Sequence, residues 1–238
     1  MSESSIKEES SDRFDYWWNI RGEAVEPPNE RRGGQSGVEL VELEGQALYC
    51  KRQQGHLYRS LRYPLGRPTV LREVQVIPAF RQLEIPVPDI HFSGARYRDG
   101  KWQGVLITQA LSGYVNLGEW YAADRPRDQV VDDQVLRQLA ANLARLHRSR
   151  WQHGCLYPKH VFVKAGATEV SVALLDLEKS RRRITSLAAA RHDLRQLHRH
   201  WGQIPFNQWE ILINHYLTLV PDRRRQAICS DGLSSTGG

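Results

Sequence analysis

The sequence of 238 residues predicts an α+β protein of two lobes, rich in strands before about residue 110 and helical after it. Three observations carry this expectation. Between Arg31 and Thr108, short apolar runs are separated by glycine-containing turns. After Val131, apolar residues recur at helical spacing instead. Between the two halves, Gln109 to Gly113 reads as a linker. The expected organisation is a disordered segment over 1–11, a small β-rich lobe over 12–110, a helical lobe over 111–229 and a disordered Ser/Gly-rich tail over 230–238.

The elements follow in order. Phe14-Asp15-Tyr16-Trp17-Trp18 opens a short helix anchored by aromatic packing. From Arg31 the text reads strand, turn, strand, with Gly33-Gly34-Gln35-Ser36-Gly37 as a glycine-rich turn. Val38 to Leu43 alternates apolar and polar, the period of a half-buried strand. Glu44-Gly45-Gln46 is a second turn, and Ala47 to Arg52 a third strand. His56 to Pro68 is basic and aromatic, with no assigned element. Thr69 to Phe80 reads as a helix with Thr69 as N-cap, and Pro78 is expected to end it early. Ile85-Pro86-Val87-Pro88 forces extended backbone, because a residue preceding proline avoids the helical region. Strands are expected at Asp89 to Ser93 and Gly104 to Thr108, with a turn at Asp99-Gly100. Helices are expected at Val131 to Arg148, Ala188 to Trp201 and Gln208 to Leu219. In the last of these Trp209, Leu212, Ile213, Tyr216 and Leu217 fall on one face, read as core.

Composition narrows the class. Hydrophobic residues make up 40% and charged residues 25%, ordinary for a soluble globular chain. No apolar run approaches the roughly 18 residues of a membrane span, and the Ser/Glu-rich start from Met1 to Asp12 is unlike a secretory signal. Cys50, Cys155 and Cys229 are odd in number, far apart and form no CxxC pair. Neither a disulfide framework nor a zinc site is expected, and a reducing cytoplasm is. The net charge of +6 would suit phosphates, nucleic acid or an anionic membrane face. Arg181-Arg182-Arg183 and Arg223-Arg224-Arg225 read as solvated surface, and no nucleic-acid-binding motif accompanies them.

The chemistry concentrates between His153 and Asp176. His153-Gly154-Cys155-Leu156-Tyr157-Pro158-Lys159-His160 is followed by a strand-like run, Val170 to Leu175, that delivers Asp176-Leu177-Glu178. This resembles the protein-kinase motifs H-R-D-L-x-x-x-N and D-F-G. Asp176 stands at the metal-binding aspartate, His160 at the metal-binding asparagine, and Cys155 where the catalytic-base aspartate belongs. Upstream, a glycine turn would let backbone N–H groups approach phosphates, although glycine hairpins are common without that role. Lys51 on the third strand and Glu73 on the following helix stand in the kinase order of phosphate-binding lysine and orienting glutamate. A lone strand lysine can equally be an exposed edge charge. Asp193, opening the next helix in His192-Asp193-Leu194, suits an anchor beneath the loop, or simply a carboxylate at a helix N-terminus.

Four segments extend the likeness. They are Arg31-Arg32-Gly33-Gly34-Gln35-Ser36-Gly37-Val38, Arg62 to Thr69, Gln152-His153-Gly154-Cys155, and Leu175 to Arg183 with its Asp176-Leu177-Glu178-Lys179. On these the chain resembles the lipopolysaccharide kinase (Kdo/WaaP) family over roughly residues 14 to 218. The resemblance implies a protein-kinase-like fold in the cytoplasm, possession of ATP and Mg2+ sites, and phosphorylation of a sugar hydroxyl in the lipopolysaccharide inner core. It implies that Gly33, Gly34, Gly37 and Lys51 contact phosphates, that Glu73 pairs with Lys51, that Asp176 binds magnesium with His160 at the second metal position, and that His153 braces the loop. The basic stretch Arg59 to Arg72 would face a phosphorylated glycolipid or the anionic surface of the inner membrane, or else be solvated surface. Cys155 departs from the family pattern. An ordinary thiol, with pKa about 8.5, is mostly protonated at pH 7 and makes a poor base. Three activities therefore stand open: a sugar kinase, a pseudokinase acting as an acid- or stress-responsive sensor or binding module, and a small-molecule phosphotransferase of the aminoglycoside or choline type. The last normally needs the same missing aspartate.

Overall fold

Alternation and turn chemistry build the first half of the chain. The structure is a computed structural model that describes residues 12–25, 27, 29–31, 34–60, 63–122, 128–166 and 169–233. Segments 1–11 and 234–238, both expected to be disordered, lie outside the described residues, as does Gly33. Contacts divide the chain into two units. One holds the described residues up to Gln75 together with Pro88–Leu111, and the other holds Val76–Val87 together with the residues from Ser112 onward.

The first unit runs helix α1 (12–19), β1 (Glu23–Ala24), β2 (Asn29–Arg31), β3 (Gly34–Leu43), β4 (Gln46–Gln54), β5 (Leu57–Ser60), β6 (Tyr63–Pro68), the start of α2 (Val70–Gln82), β7 (Ile90–Arg98) and β8 (Lys101–Gln109). An antiparallel sheet has the order β1-β3-β4-β8-β7, with β2 also on β3. β4 is central. Lys51 pairs with Val38 on one side and Leu106 on the other. Successive strand side chains point to opposite faces. Cys50 therefore enters the core of Phe14, Trp17, Val41, Leu48, Val105 and Ile107, which places Lys51 on the other face.

Three expectations change here. Gly34 and Gly37 lie inside β3 rather than in a turn, because Gly34 pairs with Arg31 and Gly37 with Arg52. The basic stretch forms the β5–β6 hairpin, whose tyrosines meet edge-on and carry guanidinium groups: Arg72 lies 4.2 Å from the Tyr58 ring and Arg67 4.6 Å from Tyr63. Thr69 holds the N-cap position of α2 as expected, but the capping acceptor is Gln53 of β4 rather than the Thr69 hydroxyl. Gln53 Oε1 accepts from Val70 N at 2.8 Å and from Thr69 Oγ1 at 2.7 Å.

Helix α2 also runs past Pro78 to Gln82. A mid-helix proline costs about 3 kcal/mol. Val76, Ile77 and Phe80 are at most 2% exposed, and burying each contributes roughly 1.5–3 kcal/mol, so burial wins.

The second unit continues with β9 (Val115–Asn116), α3 (Leu117–Ala122), α4 (Gln129–Arg148), β10 (Trp151–Gln152), β11 (Val161–Ala165), β12 (Val170–Leu174), β13 (Arg181–Arg182), α5 (Ser186–Arg199), α6 (Phe206–Thr218) and α7 (Asp222–Cys229). Single 3₁₀ turns occupy Pro158–His160 and Leu177–Lys179. Asp128 caps α4 by accepting from Val130 N and Val131 N. The helix buries Val135, Leu136, Leu139, Leu143 and Leu146 against α6, whose Trp209, Leu212, Ile213 and Tyr216 are the face expected as core. β11 and β12 form a hairpin in register Val161 to Leu174. Thr185 caps α5, which therefore begins at Ser186, so that Asp193 sits at mid-helix and not near its N-terminus. α7 had no apolar period to predict it. Beyond it Leu233 is buried, and its carbonyl accepts from Trp209 Nε1 at 2.9 Å. Among the described residues, no helix is long and apolar enough to cross a membrane.

Candidate active site

In the first unit, Lys51 Nζ lies 2.9 Å from Glu73 Oε2, and both side chains are largely buried, at 17% and 11% exposure. An ion pair removed from water this far persists only with good geometry, since each charge has lost most of its hydration. Of the glycines assigned to phosphate contact, Gly33 lies outside the described residues. Gly34 is required by packing, because a Cβ there would stand 2.7 Å from the His56 ring and 2.9 Å from the Gln54 carbonyl. Gly37 has nothing within 4 Å of that position and leaves open space beside the Lys51 strand.

In the second unit, α5 holds the loop after β10. Asp193, fully buried, accepts from His153 N at 2.6 Å and Gly154 N at 3.0 Å. Gln196, one turn on, accepts from Leu156 N and donates to Tyr157 Oη at 3.0 Å. Ser180 Oγ donates to the His153 carbonyl at 2.8 Å. Gly154 has φ +83°, and a Cβ there would stand 2.6 Å from the Lys179 carbonyl, so glycine is needed for both conformation and space. Beneath Asp193 lies His147, with Nε2 at 3.3 Å from Asp193 Oδ2 and Nδ1 at 2.9 Å from Tyr216 Oη. Burial pushes the Tyr216 hydroxyl well above its usual range, so it stays protonated. It donates to Nδ1, while Nε2–H donates to the carboxylate. Burial alone would raise the Asp193 pKa, but the hydrogen bonds from His147 and His192 hold it well below the usual carboxylate range.

The reactive positions sit on this support. Cys155 is 2% exposed. Burial first, and then the Asp176 charge, push its thiol up to about 12, against the pull of Lys179. The group at the position of the catalytic base is therefore a protonated thiol at physiological pH. His160 Nδ1 lies 2.7 Å from the Cys155 carbonyl and 3.6 Å from Asp176 Oδ2. A carbonyl only accepts, so Nδ1 carries the proton, and in the neutral ring Nε2 carries the lone pair. Asp176 follows β12 with φ 58° and ψ 60°, a left-handed conformation sparsely populated outside glycine, asparagine and aspartate, and clustered at functional sites. For Lys179, burial favours the neutral amine, but its neighbours, the Asp176 and Glu178 carboxylates among them, outweigh it and raise the pKa, so the ammonium persists.

Among the described residues, no cluster of three or more His, Cys, Asp or Glu could hold a metal by itself. Magnesium takes oxygen ligands from one or two carboxylates plus substrate phosphates. The Asp176 carboxylate, 27% exposed, is suited to this, whereas the His160 imidazole, a nitrogen ligand, is a poor match for magnesium. The structure thus brings His153, Cys155, His160, Asp176 and Asp193 together in one unit, and Lys51 with Glu73 in the other. His147, Gln196, Lys179, Ser180 and Tyr216 had no assigned role in the site. Their partners lie up to 69 residues away in the chain, beyond any local pattern.

His153 has a consequence for stability. It is fully buried, and burial, with His160 adding to it and Asp193 and Asp176 opposing, lowers its pKa to about 4. A folded pKa below the unfolded value of about 6.5 means that the neutral ring favours the folded state fully above pH 6.5. That contribution is lost as pH falls from about 6.5 towards 4, and the gap corresponds to ~3 kcal/mol. Denaturant midpoints are expected to fall between pH 7 and pH 4.5 in the wild type and to fall less in His153→Asn. Equal slopes in the two proteins would contradict this.

A strand lysine paired to a helix glutamate, together with an anchored loop leading to an aspartate after a β-hairpin, defines a protein of the kinase-like class. The comparisons agree. The solved structure "WaaP in complex with acyl carrier protein" superposes with a TM-score of 0.69 at 18% identity, covering 93% of this chain and 88% of that one, which shows the same fold. The profile of the Lipopolysaccharide kinase (Kdo/WaaP) family matches residues 15–216, and the chain belongs to that family. It is 40% identical over 210 residues to "Protein InaA" of Escherichia coli (strain K12), covering 87% of this chain and 97% of that protein.

Proposed function

We propose that this chain binds ATP with magnesium and phosphorylates a sugar hydroxyl of the lipopolysaccharide inner core. The observation that carries the reading is the Lys51–Glu73 pair at 2.9 Å on the β4–α2 frame. Glu73 holds the ammonium in place, and Lys51 would meet the nucleotide phosphates. Gly37 leaves unobstructed backbone nearby, and Asp176 would hold the metal. The bound metal supplies stabilisation of charge on the transferred group. His153, Gly154 and Asp193 keep the loop fixed, so the position next to residue 155 is where an acceptor hydroxyl would lose its proton. Cytoplasmic location with peripheral contact to anionic lipid is part of the same proposal. The β5–β6 hairpin supports it, with Leu65 89% exposed beside Arg67.

One observation favours a second reading. The Cys155 thiol stays protonated up to about 12, so residue 155 cannot take the acceptor proton. A pseudokinase that senses acid or stress, binding nucleotide without turnover, would need nothing more. Incubation with Mg-ATP and dephosphorylated core lipopolysaccharide distinguishes the two. Slow transfer by the wild type, abolished in Asp176→Ala, is expected for the kinase. Nucleotide binding with no transfer by the wild type would remove the kinase reading for that acceptor.

A further inference from the structure

Helix α5 carries two side-chain stripes with different work. Asp193, Gln196 and His200, at i, i+3 and i+7, hold the loop: the first two by hydrogen bonds, the third with its ring 4.6 Å from that of Tyr157. The neighbouring stripe is Arg191, Arg195 and Arg199, at i, i+4 and i+8. With Arg183 they line a cavity of about 460 Å³ that reaches Tyr157, within the roughly 300–1,000 Å³ range of ligand sites. Like charges four residues apart on a helix repel. Relief comes from one carboxylate, Asp231, at 2.7 Å from Arg191 Nε and 3.2 Å from Arg195 Nη2. Among the described residues the guanidinium groups of Arg183 and Arg199 have no ion-pair partner. Four guanidinium groups thus line one concavity, and Asp231, which pairs with two of them, is not part of its wall, so repulsion is focused there rather than spread over a convex surface.

Tyr157 and His200 also line a second cavity, of about 640 Å³. Its wall adds Tyr121 and Trp201, with Lys159 from the turn that ends at His160. The two cavities share the Tyr157–His200 wall beside the loop. One is arginine-rich, and the other is aromatic with a few polar groups, a composition suited to a sugar ring.

We propose that the arginine cavity of α5 is an anion subsite for the acceptor, taking phosphate or carboxylate substituents of a saccharide whose ring occupies the aromatic cavity. This rests on the kinase reading above for the acceptor's identity, but binding needs neither nucleotide nor transfer. An acidic protein is a weaker fit, because the basic groups line a concave recess that shares the Tyr157–His200 wall with the aromatic cavity beside the loop.

The test is calorimetry on the full chain without nucleotide, at about 50 mM and about 200 mM salt. The probes are lipid-free core oligosaccharide, the same material after phosphatase treatment, the same material with its carboxyl groups reduced, and poly-glutamate. Arg199→Ala and the Arg183→Ala/Arg199→Ala double variant are compared with wild type and with Arg181→Ala, which lies outside the cavity. Wild type is expected to bind intact oligosaccharide. The double variant should bind it at least about tenfold more weakly and with a shallower salt dependence, with the single variant between them, while ATP affinity and Arg181→Ala stay within about twofold of wild type. Loss of wild-type affinity on phosphatase treatment assigns the subsite to phosphate, and loss on carboxyl reduction assigns it to carboxylate. Equal binding by wild type and Arg199→Ala, no binding by wild type, or variants that lose only poly-glutamate would each overturn the proposal. ATP binding, measured in parallel, reports on the kinase reading independently.

Discussion

Replacing Cys155 with aspartate is expected to raise phosphoryl transfer to a core sugar about 10²–10⁴-fold, the usual worth of a positioned general base. The loop geometry needed for this is already present. His153 N and Gly154 N are pinned by Asp193, and the Cys155 carbonyl is held by His160 Nδ1 at 2.7 Å. The surroundings should also tune the new carboxyl. The burial and the Asp176 charge that push the thiol up to about 12 would raise an aspartate's pKa, while Lys179 beside it keeps the anion accessible. A carboxyl shifted up towards neutrality is a better base at pH 7 than one of ordinary acidity. Initial rates with Mg-ATP and dephosphorylated core lipopolysaccharide read the effect in kcat. A variant that folds, binds ATP as the wild type does and transfers no faster would show that residue 155 does not lie at the acceptor hydroxyl.

Asp193→Ala is expected to cost about 3–5 kcal/mol of stability, the range for removing one partner from a buried charged network. The carboxylate is fully buried and accepts from two backbone N–H groups and two imidazoles. Without it the His153 and Gly154 amides have no acceptor, and the His147–Tyr216 pair loses the charge that orders it. For a chain of this size each kcal/mol shifts Tm by about 2–4 °C, so thermal unfolding should move down by about 10 °C. Asp193→Asn, which keeps an acceptor oxygen, should lose less. A Tm within about 2 °C of wild type for the alanine variant would mean that Asp193 is not the anchor of the loop.

The readable parts of this site are those written contiguously. His153 to His160 and Asp176 sit in one run of sequence whose spacing survives the Cys155 substitution, and Lys51 and Glu73 follow one another in the kinase order. The support beneath them was not readable. Gln196 reaches Leu156 and Tyr157 across about 40 residues, and Tyr216 reaches His147 across 69, so only folding brings them together. Local rules were overridden where burial is strong, as at Pro78. They were misread where one composition serves two structures. The glycines after Arg32 suggest a turn, but Gly34 pairs with Arg31 in β3, and glycine is needed there because His56 and Gln54 leave no room for a Cβ. The Arg/Tyr stretch hid a hairpin because its cross-strand pairing is aromatic and cationic rather than apolar. Asp193 reads as a carboxylate near a helix N-terminus, but α5 begins at Ser186, which puts it in the middle of the helix.

On the reading proposed above, the nucleotide side of a kinase site is kept while its acceptor side has lost its base. Calorimetric titration of Mg-ATP into wild type and Lys51→Ala tests it most directly. Charge-assisted hydrogen bonds of the kind Lys51 would make to phosphate are worth about 1.5–3 kcal/mol, so wild type is expected to bind saturably and Lys51→Ala about 10–100-fold more weakly. Absence of wild-type binding, or equal affinity in the two proteins, would contradict it.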